Sequence, residues 1–192
     1  MSVKQENEIT VKVLCSNEEL QSILESKGYQ AGRRFTINDF YMIPKELDIK
    51  NMSTRDIIAK AVIIREICNE NGIEQRITFK KKEFNDKDEI LSQIDTTCFV
   101  DNYKTAIKIF ENLGFYILIN IKESDIEYRK DDISMALKFI ENSDTLIELE
   151  TCDNHDSIDE LKAIMDETEI PIEKGNYFVK KVEIELNKLL GR

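Results

Sequence analysis

Glu8-Ile9-Thr10-Val11-Lys12-Val13, read together with Ile147-Glu148-Leu149-Glu150, decides the fold. Both stretches alternate charged or polar residues with aliphatic ones at a period of two. A strand of that period puts Glu8, Thr10 and Lys12 on one face and Ile9, Val11 and Val13 on the other. Glu148 and Glu150 share a face in the same way. In a half-buried sheet such a polar face simply meets water, and on periodicity alone that is the commoner reading. If the sheet curls into a tunnel jacketed by helices, the aliphatic face packs outward and the polar face lines the interior.

The rest of the chain supplies enough strands for such a sheet. Strand-like runs occupy Phe35–Met42, Ile58–Ile67, Arg76–Lys82, Ile90–Val100, Phe115–Lys122, Ile133–Ile140 and Leu146–Thr151, making about eight with the first. Asn71-Gly72 is a hairpin signal, and hairpins imply antiparallel pairing. Ser16 with Glu19 forms an S-x-x-E helix start, and the helix through Leu20, Ile23 and Leu24 stops at Gly28. A second helix starts at Asp101, runs through Ala106, Ile109, Phe110 and Leu113, and stops at Gly114. The two segments have nearly the same length and strand-like flanks, a pseudo-repeat of strand–helix–strand units. Ser157 with Glu160 starts a third helix, and a last one runs from Tyr177 to Leu190. The expected class is α+β: an eight-stranded antiparallel β-tunnel or barrel with helices packed outside.

Composition fits a single domain spanning 1–192 and narrows the function. Of 192 residues, 41% are hydrophobic and 34% charged, a globular balance. Two prolines and six glycines leave no room for a linker. The net charge of −11 argues against nucleic acid as a partner, since that binding needs a cationic surface. Cys15, Cys68, Cys98 and Cys152 show no paired spacing and read as free thiols of a cytoplasmic protein. The polar segment Met1–Asn7 is not a signal peptide, and the absence of a long apolar run argues against a membrane. His155 reads as a loop residue without a paired nucleophile. Asp86–Glu89 and Asp166–Glu169 read as solvated turns, and Arg33 and Arg34 as a surface loop, with a tunnel mouth as the alternative.

At this point the chain resembles the CYTH superfamily, the triphosphate tunnel metalloenzymes, whose members include class IV adenylate cyclases and thiamine triphosphatases. The opening E-x-E-x-K strand is matched by Glu8 and Lys12, with Thr10 in place of the middle acid. Asp39-Phe40-Tyr41 is similar to a D-x-Y segment. Arg65 matches one arginine of an R-x-R pair, and Ile63 replaces the other. Ile77-Thr78-Phe79-Lys80 is similar to an L-T-Y-K strand. Lys122 matches an inward lysine whose arginine neighbour is replaced by Ser124. Glu148 and Glu150 match the closing E-x-E, while the segment Gln93 to Asp95 holds little that matches.

The resemblance implies that Glu8, Glu148 and Glu150 hold Mg²⁺ or Mn²⁺, hard cations suited to carboxylate oxygen. It implies that Lys12, Arg65, Lys80 and Lys122 contact the phosphates of a nucleotide or other small triphosphate, with Arg76 adding charge from the face of Thr78 and Lys80. Lys12 and Arg65 become the catalytic candidates. The implied activity is triphosphate hydrolysis or cyclisation of ATP. Thr10, Ile63 and Ser124 remove charge from that set, which leaves open a module that binds a phosphorylated molecule without turnover. A purely structural acidic partner is the third reading. An uncovered edge strand would favour a homodimer.

Overall fold

The computed structural model describes residues 8–84, 90–150 and 157–192, with the side chains of 81–84 and 90–95 left aside. Cys152, His155 and the acidic run 86–89 lie outside the described residues, as do the side chains of Gln93 and Asp95. The eight strands are β1 (Glu8–Lys12), β2 (Gln30–Pro44), β3 (Val62–Asn69), β4 (Gly72–Phe84), β5 (Ile90–Phe99), β6 (Phe115–Lys130), β7 (Ile133–Ile140) and β8 (Thr145–Glu150). The α-helices are α1 (Asn17–Ser26), α2 (Thr54–Ile58), α3 (Tyr103–Asn112), α4 (Ile158–Glu167) and α5 (Lys181–Leu190). One antiparallel sheet contains all eight strands in the order β1-β8-β7-β6-β2-β3-β4-β5. Exchanging β1–β4 with β5–β8 leaves that order unchanged, so the pseudo-repeat extends to the whole sheet.

The two repeats share their helix geometry. Both α1 and α3 have 10 residues, and each is followed by a glycine in the left-handed region, Gly28 at φ 87° and Gly114 at φ 89°. That conformation ends a helix and costs a residue with a Cβ about 1 kcal/mol. The caps differ from expectation in detail. Ser16 accepts from the Glu19 N–H as read, but α3 is capped by Asn102 rather than Asp101, through a bond from the Thr105 N–H. Ser157 and Glu160 form the full reciprocal capping box at α4. Ser157→Ala is expected to lower the midpoint of thermal unfolding, at a cost of about 1 kcal/mol, measured by calorimetry.

The chain divides into two compact units. One comprises Glu6–Phe35 and Glu123–Lys181. Its core is the aliphatic face predicted from the opening stretch. Ile9, Val11, Val13, Ile147 and Leu149 pack with Leu137, Tyr128 and Ile126, and with Leu20 and Leu24 of α1 and Leu161, Ile164 and Met165 of α4. Burying a large aliphatic side chain stabilises by about 1.5–3 kcal/mol each. The segment before α5, expected to be helical from Tyr177, is extended instead. The Thr10 N–H donates to the Tyr177 carbonyl and the Val179 N–H donates to the Thr10 carbonyl, while Leu14 N–H bonds Pro171 and Glu173 N–H bonds Lys12. These contacts occupy the outer edge of β1. The acidic run Asp166–Glu169, expected as a turn, is half helix: Asp166 and Glu167 close α4, and Thr168 and Glu169 form the turn, with Glu169 paired to Lys27.

The other unit comprises Thr36–Lys122 and Val182–Arg192. Met42, Ile64 and Ala106 form its buried cluster beneath α3, with Phe40 stacked on Tyr103 at 5.4 Å between ring centres. The run read as strand from Ile58 begins as helix. Ser53 accepts from the Asp56 N–H, caps α2, and delays the strand to Val62. α5 is tied to α2 by Arg55–Glu183 at 3.2 Å and by the Thr54 hydroxyl on Asn187 at 2.6 Å. Cys15, Cys68 and Cys98 are free thiols. Among the described residues no helix is long and apolar enough to cross a membrane.

Candidate functional site

Strand register assembles a charged face in the Glu123–Lys181 unit. Across β1 and β8, Glu8 lies opposite Glu150, Thr10 opposite Glu148, and Lys12 opposite Leu146. Across β8 and β7, Glu148 lies opposite Ala136 and Leu146 opposite Lys138. Across β7 and β6, Lys138 lies opposite Asp125 and Ala136 opposite Glu127. The period of two therefore puts Glu8, Thr10, Lys12, Glu148, Glu150, Lys138, Glu123, Asp125 and Glu127 on one face, away from the aliphatic core.

Among the described residues, Lys12, Lys138, Glu148, Glu123 and Glu127 on this face hold charged partners, and buried Asp125 has no hydrogen-bond partner. Lys12 Nζ lies 2.9 Å from Asp144, and Lys138 Nζ 2.8 Å from Glu148 Oε1. Lys181 pairs with buried Glu123. Glu127 accepts from Arg33 at 2.9 Å, from Arg129 at 2.6 Å and from the Ser134 hydroxyl at 2.9 Å. Arg33 thus stands in β2 and serves the sheet, where a surface loop was expected. Burial pushes the Glu127 carboxyl up, but the bonds from Arg33, Arg129 and Ser134 outweigh it and hold it down at about 2. Asp125 is 2% exposed, and both of its oxygens lack such a partner among the described residues. Burial, then the neighbouring Glu123 charge, raise its carboxyl to about 7 against the pull of Lys138 and Lys181.

The Thr36–Lys122 unit carries a second charged face. Arg65 lies opposite Arg76 and Ile63 opposite Thr78. Thr78 lies opposite Thr97 and Lys80 opposite Asp95. Arg76, Thr78 and Lys80 share one face, and the Thr78 and Thr97 hydroxyls are 3.2 Å apart. Arg65 grips Asp39 with both arms of its fork, Nε to Oδ1 and Nη2 to Oδ2, each at 2.6 Å. Asp39 is fully buried.

The expected phosphate contacts therefore divide. Lys12 and Arg65 lie on polar faces and hold carboxylate partners. Arg76 and Lys80 share the Arg65 face, and Arg76 also pairs with Glu74 at 3.3 Å. Lys122 is exposed, and the alternation of β6 puts it on the opposite strand face from Glu123 and Asp125, so the structure does not bring it to the polar face. Of the expected metal ligands, Glu8, Glu148 and Glu150 do share a face. Among the described residues, however, no three acidic, histidine or cysteine side chains form a ready-made metal cluster. The donor set of carboxylate oxygens suits a hard divalent cation, and Glu148 already holds a positive charge in the Lys138 ammonium.

The sequence reading missed Glu123 and Asp125 because it ended β6 at Lys122, and it missed Lys138 although it had the bounds of β7 right. The signal was present as the alternation of Glu123, Asp125 and Glu127. The pseudo-repeat offered a second one: Asp39 and Asp125 each lie 11 residues beyond their helix-ending glycine, at Gly28 and Gly114. One of these equivalent acids is gripped by Arg65, and the other has no hydrogen-bond partner among the described residues.

No family model matches the sequence, and no curated protein matches it. Solved structures do match. The PH1819 protein of Pyrococcus horikoshii OT3 superposes with a TM-score of 0.72 at 17% identity, covering 95% of this chain and 99% of its own. A putative adenylate cyclase from Vibrio parahaemolyticus gives 0.65 at 13% identity, covering 96% and 99%. HpAC1 of Hippeastrum, a putative adenylyl cyclase described as having a dominant triphosphatase activity, gives 0.64 at 11% identity, covering 96% of each chain. These likenesses show that the chain shares the fold of these structures, here an eight-stranded antiparallel sheet with helices.

Proposed function

We propose that the protein performs divalent-metal-dependent phosphoryl chemistry on an organic or nucleoside triphosphate, by hydrolysis or by cyclisation of ATP. The observation that carries this reading is buried carboxylate on the polar strand faces: Glu123, Asp125 and Glu127 on one, and Asp39 in the grip of Arg65 on the other. Glu8, Glu148, Glu150 and Lys12 share one such face, and Arg65, Arg76 and Lys80 share the other, on a fold found in putative adenylate cyclases. Glu148, with Glu8 and Glu150, would hold Mg²⁺ or Mn²⁺. The ion, when bound, supplies charge that stabilises a transferring phosphoryl group. Lys12, on the same face as Glu148, would bind phosphate oxygens as a point charge; on the face of the other unit, Lys80 offers a point charge and Arg76 a planar fork.

A second reading has its own support. Arg65 spends its fork on Asp39, and Glu148 is engaged by Lys138. Together with Thr10, Ile63 and Ser124, these commitments favour a module that holds a phosphorylated molecule without turnover.

One panel separates the two: ATP, thiamine triphosphate and tripolyphosphate, each with Mg²⁺ or Mn²⁺, scored for phosphate and cyclic nucleotide. The enzyme reading expects product from the wild type and a loss of about 100-fold or more in Glu148→Ala and Lys12→Ala. Equal turnover in all three proteins would overturn it. Calorimetric binding without product would establish the binding module.

A further inference from the structure

In the Thr36–Lys122 unit, β5 ends with an aromatic ring on the charged side of the sheet. Phe99 stands directly opposite Arg76 in the β4–β5 ladder, with Thr97 opposite Thr78 and Lys80 opposite Asp95. The 3.2 Å between the Thr78 and Thr97 hydroxyls fixes that side as the face of Arg76, Thr78 and Lys80. The rings that pack beneath α3 lie on the other side, where Phe40 stacks on Tyr103 and Phe110 meets Phe115 edge-on. Phe99 is instead 68% exposed among charged and hydroxylated side chains. A single exposed apolar side chain is ordinary on a surface. This one is set apart by its row and by its support. The Val100 N–H donates to the Gln75 carbonyl at 2.9 Å, and the Gln75 side chain accepts from the Tyr103 N–H at 2.7 Å. The ring therefore stands on a strand end held from both sides, as a contact surface must be if it is to bind without first being ordered.

We propose that Phe99 is the platform on which the base of a nucleoside triphosphate stacks, and so the residue that selects a nucleoside over thiamine or a bare polyphosphate. This rests on the reading of the chain as a triphosphate-binding protein. Residues two apart on one strand face are separated by about 7 Å, so the Thr78–Thr97 row lies about 7 Å from Phe99 and the Lys80 row about 14 Å. That span is comparable with an extended nucleoside triphosphate. With the base on Phe99, the sugar falls over the Thr78 and Thr97 hydroxyls, which both donate and accept. The phosphates then run toward the Lys80 ammonium, and the Arg76 fork reaches the nearest of them. Arg76 pairs with Glu74 at 3.3 Å, and Glu74 is half-exposed, so a phosphate is the stronger partner. Asp95 occupies the register position opposite Lys80, so the phosphates run on the β4 side of the ladder. A base stacks on an aromatic ring whatever its sequence identity, because every base has a π-face. Thiamine brings a thiazolium cation, which the Arg76 charge repels.

The chain contains no tryptophan, so Phe99→Trp places a single indole reporter at the site. The test titrates the full chain in MgCl₂ with the β,γ-imido analogue of ATP, with thiamine triphosphate and with tripolyphosphate, by calorimetry and by fluorescence. Phe99→Trp should keep the wild-type affinity for the ATP analogue, which quenches its indole, while tripolyphosphate binds without quenching. Phe99→Ala should bind the ATP analogue about 10–100-fold more weakly and tripolyphosphate as the wild type does. Wild-type affinity of Phe99→Ala for the analogue, or an indole that the analogue leaves unquenched, overturns the inference. Equal weakening of the analogue and tripolyphosphate also overturns it, since Phe99 would then only support the strand. Equal weakening of the analogue and thiamine triphosphate overturns the choice of a nucleoside. Binding of tripolyphosphate without the analogue overturns the inference as well, and each of these results leaves the triphosphate reading standing. Failure of the wild type to bind any of the three at millimolar concentration overturns that reading itself, and the inference with it.

Discussion

Asp125→Asn is expected to abolish a loss of stability of about 3 kcal/mol that the wild type suffers between pH 5 and pH 8. The cause is burial without a partner. Asp125 rises from an ordinary value of 3.8 to about 7, through burial first and the Glu123 charge second. The folded protein therefore holds this proton more tightly than the unfolded chain does. The stability so gained is complete below about pH 4, declines as pH rises to about 7, and changes no further above that. Asparagine has the same shape and no charge to bury. Urea unfolding of both proteins at pH 5, 6, 7 and 8 checks the prediction, and parallel curves would refute it. Glu127 works in the opposite sense. Its carboxyl is held at about 2, so the stability it contributes is present above about pH 4.5 and lost as pH falls toward 2. The acid and alkaline limbs thus belong to neighbouring positions on one strand.

Arg65→Met should destabilise the fold by about 3–5 kcal/mol, the usual cost of removing one member of a buried ion pair. The size follows from which partner remains. Asp39 is fully buried, and Arg65→Met removes both 2.6 Å charge-assisted bonds to its carboxylate. Asp39→Asn should cost less, because the amide carries no charge and Arg65 retains some contact with solvent. A double variant, Asp39→Leu with Arg65→Met, should recover much of the loss, since an apolar pair of similar volume leaves no buried charge. Additive losses in the double variant would show that the two residues act independently. If Arg65 instead serves mainly to bind phosphate, Arg65→Met would unfold at the wild-type denaturant concentration and lose only ligand affinity.

How far the sequence could be read followed from where its signals were local. Alternation at Glu8–Val13 and Ile147–Glu150 requires only neighbouring residues, and it placed both strands and the sidedness of their faces correctly. The helix starts at Ser16 and Ser157 and the stops at Gly28 and Gly114 are equally local, and they too are found in place. Boundaries set by tertiary pairing were lost. Tyr177 and Phe178 carry the apolar spacing of a helix, yet the backbone of β1 recruits them as an extended partner. β6 was cut short at Lys122 because the polar run Glu123–Asp125 looks like a strand's end. Only the pairing with β7 shows it to be the middle of one. The candidate site suffered most from this error, since its inward acids begin one residue beyond the assumed boundary. Arg65 was singled out from its match to one arginine of an R-x-R pair. That its fork is spent on Asp39 is a long-range fact no spacing reveals.

The tail that lies along β1 bears on how this protein meets copies of itself. Peptide groups along a bare strand margin are sticky, and they invite a neighbour's backbone to add itself in register. Here Thr10 has given both its amide and its carbonyl to Tyr177 and Val179, and Lys12 has given its carbonyl to Glu173. A second molecule could not dock by sheet extension at this margin without first peeling away the host's own ribbon. Any self-association through β1 would thus take the form of an exchange of that ribbon between molecules.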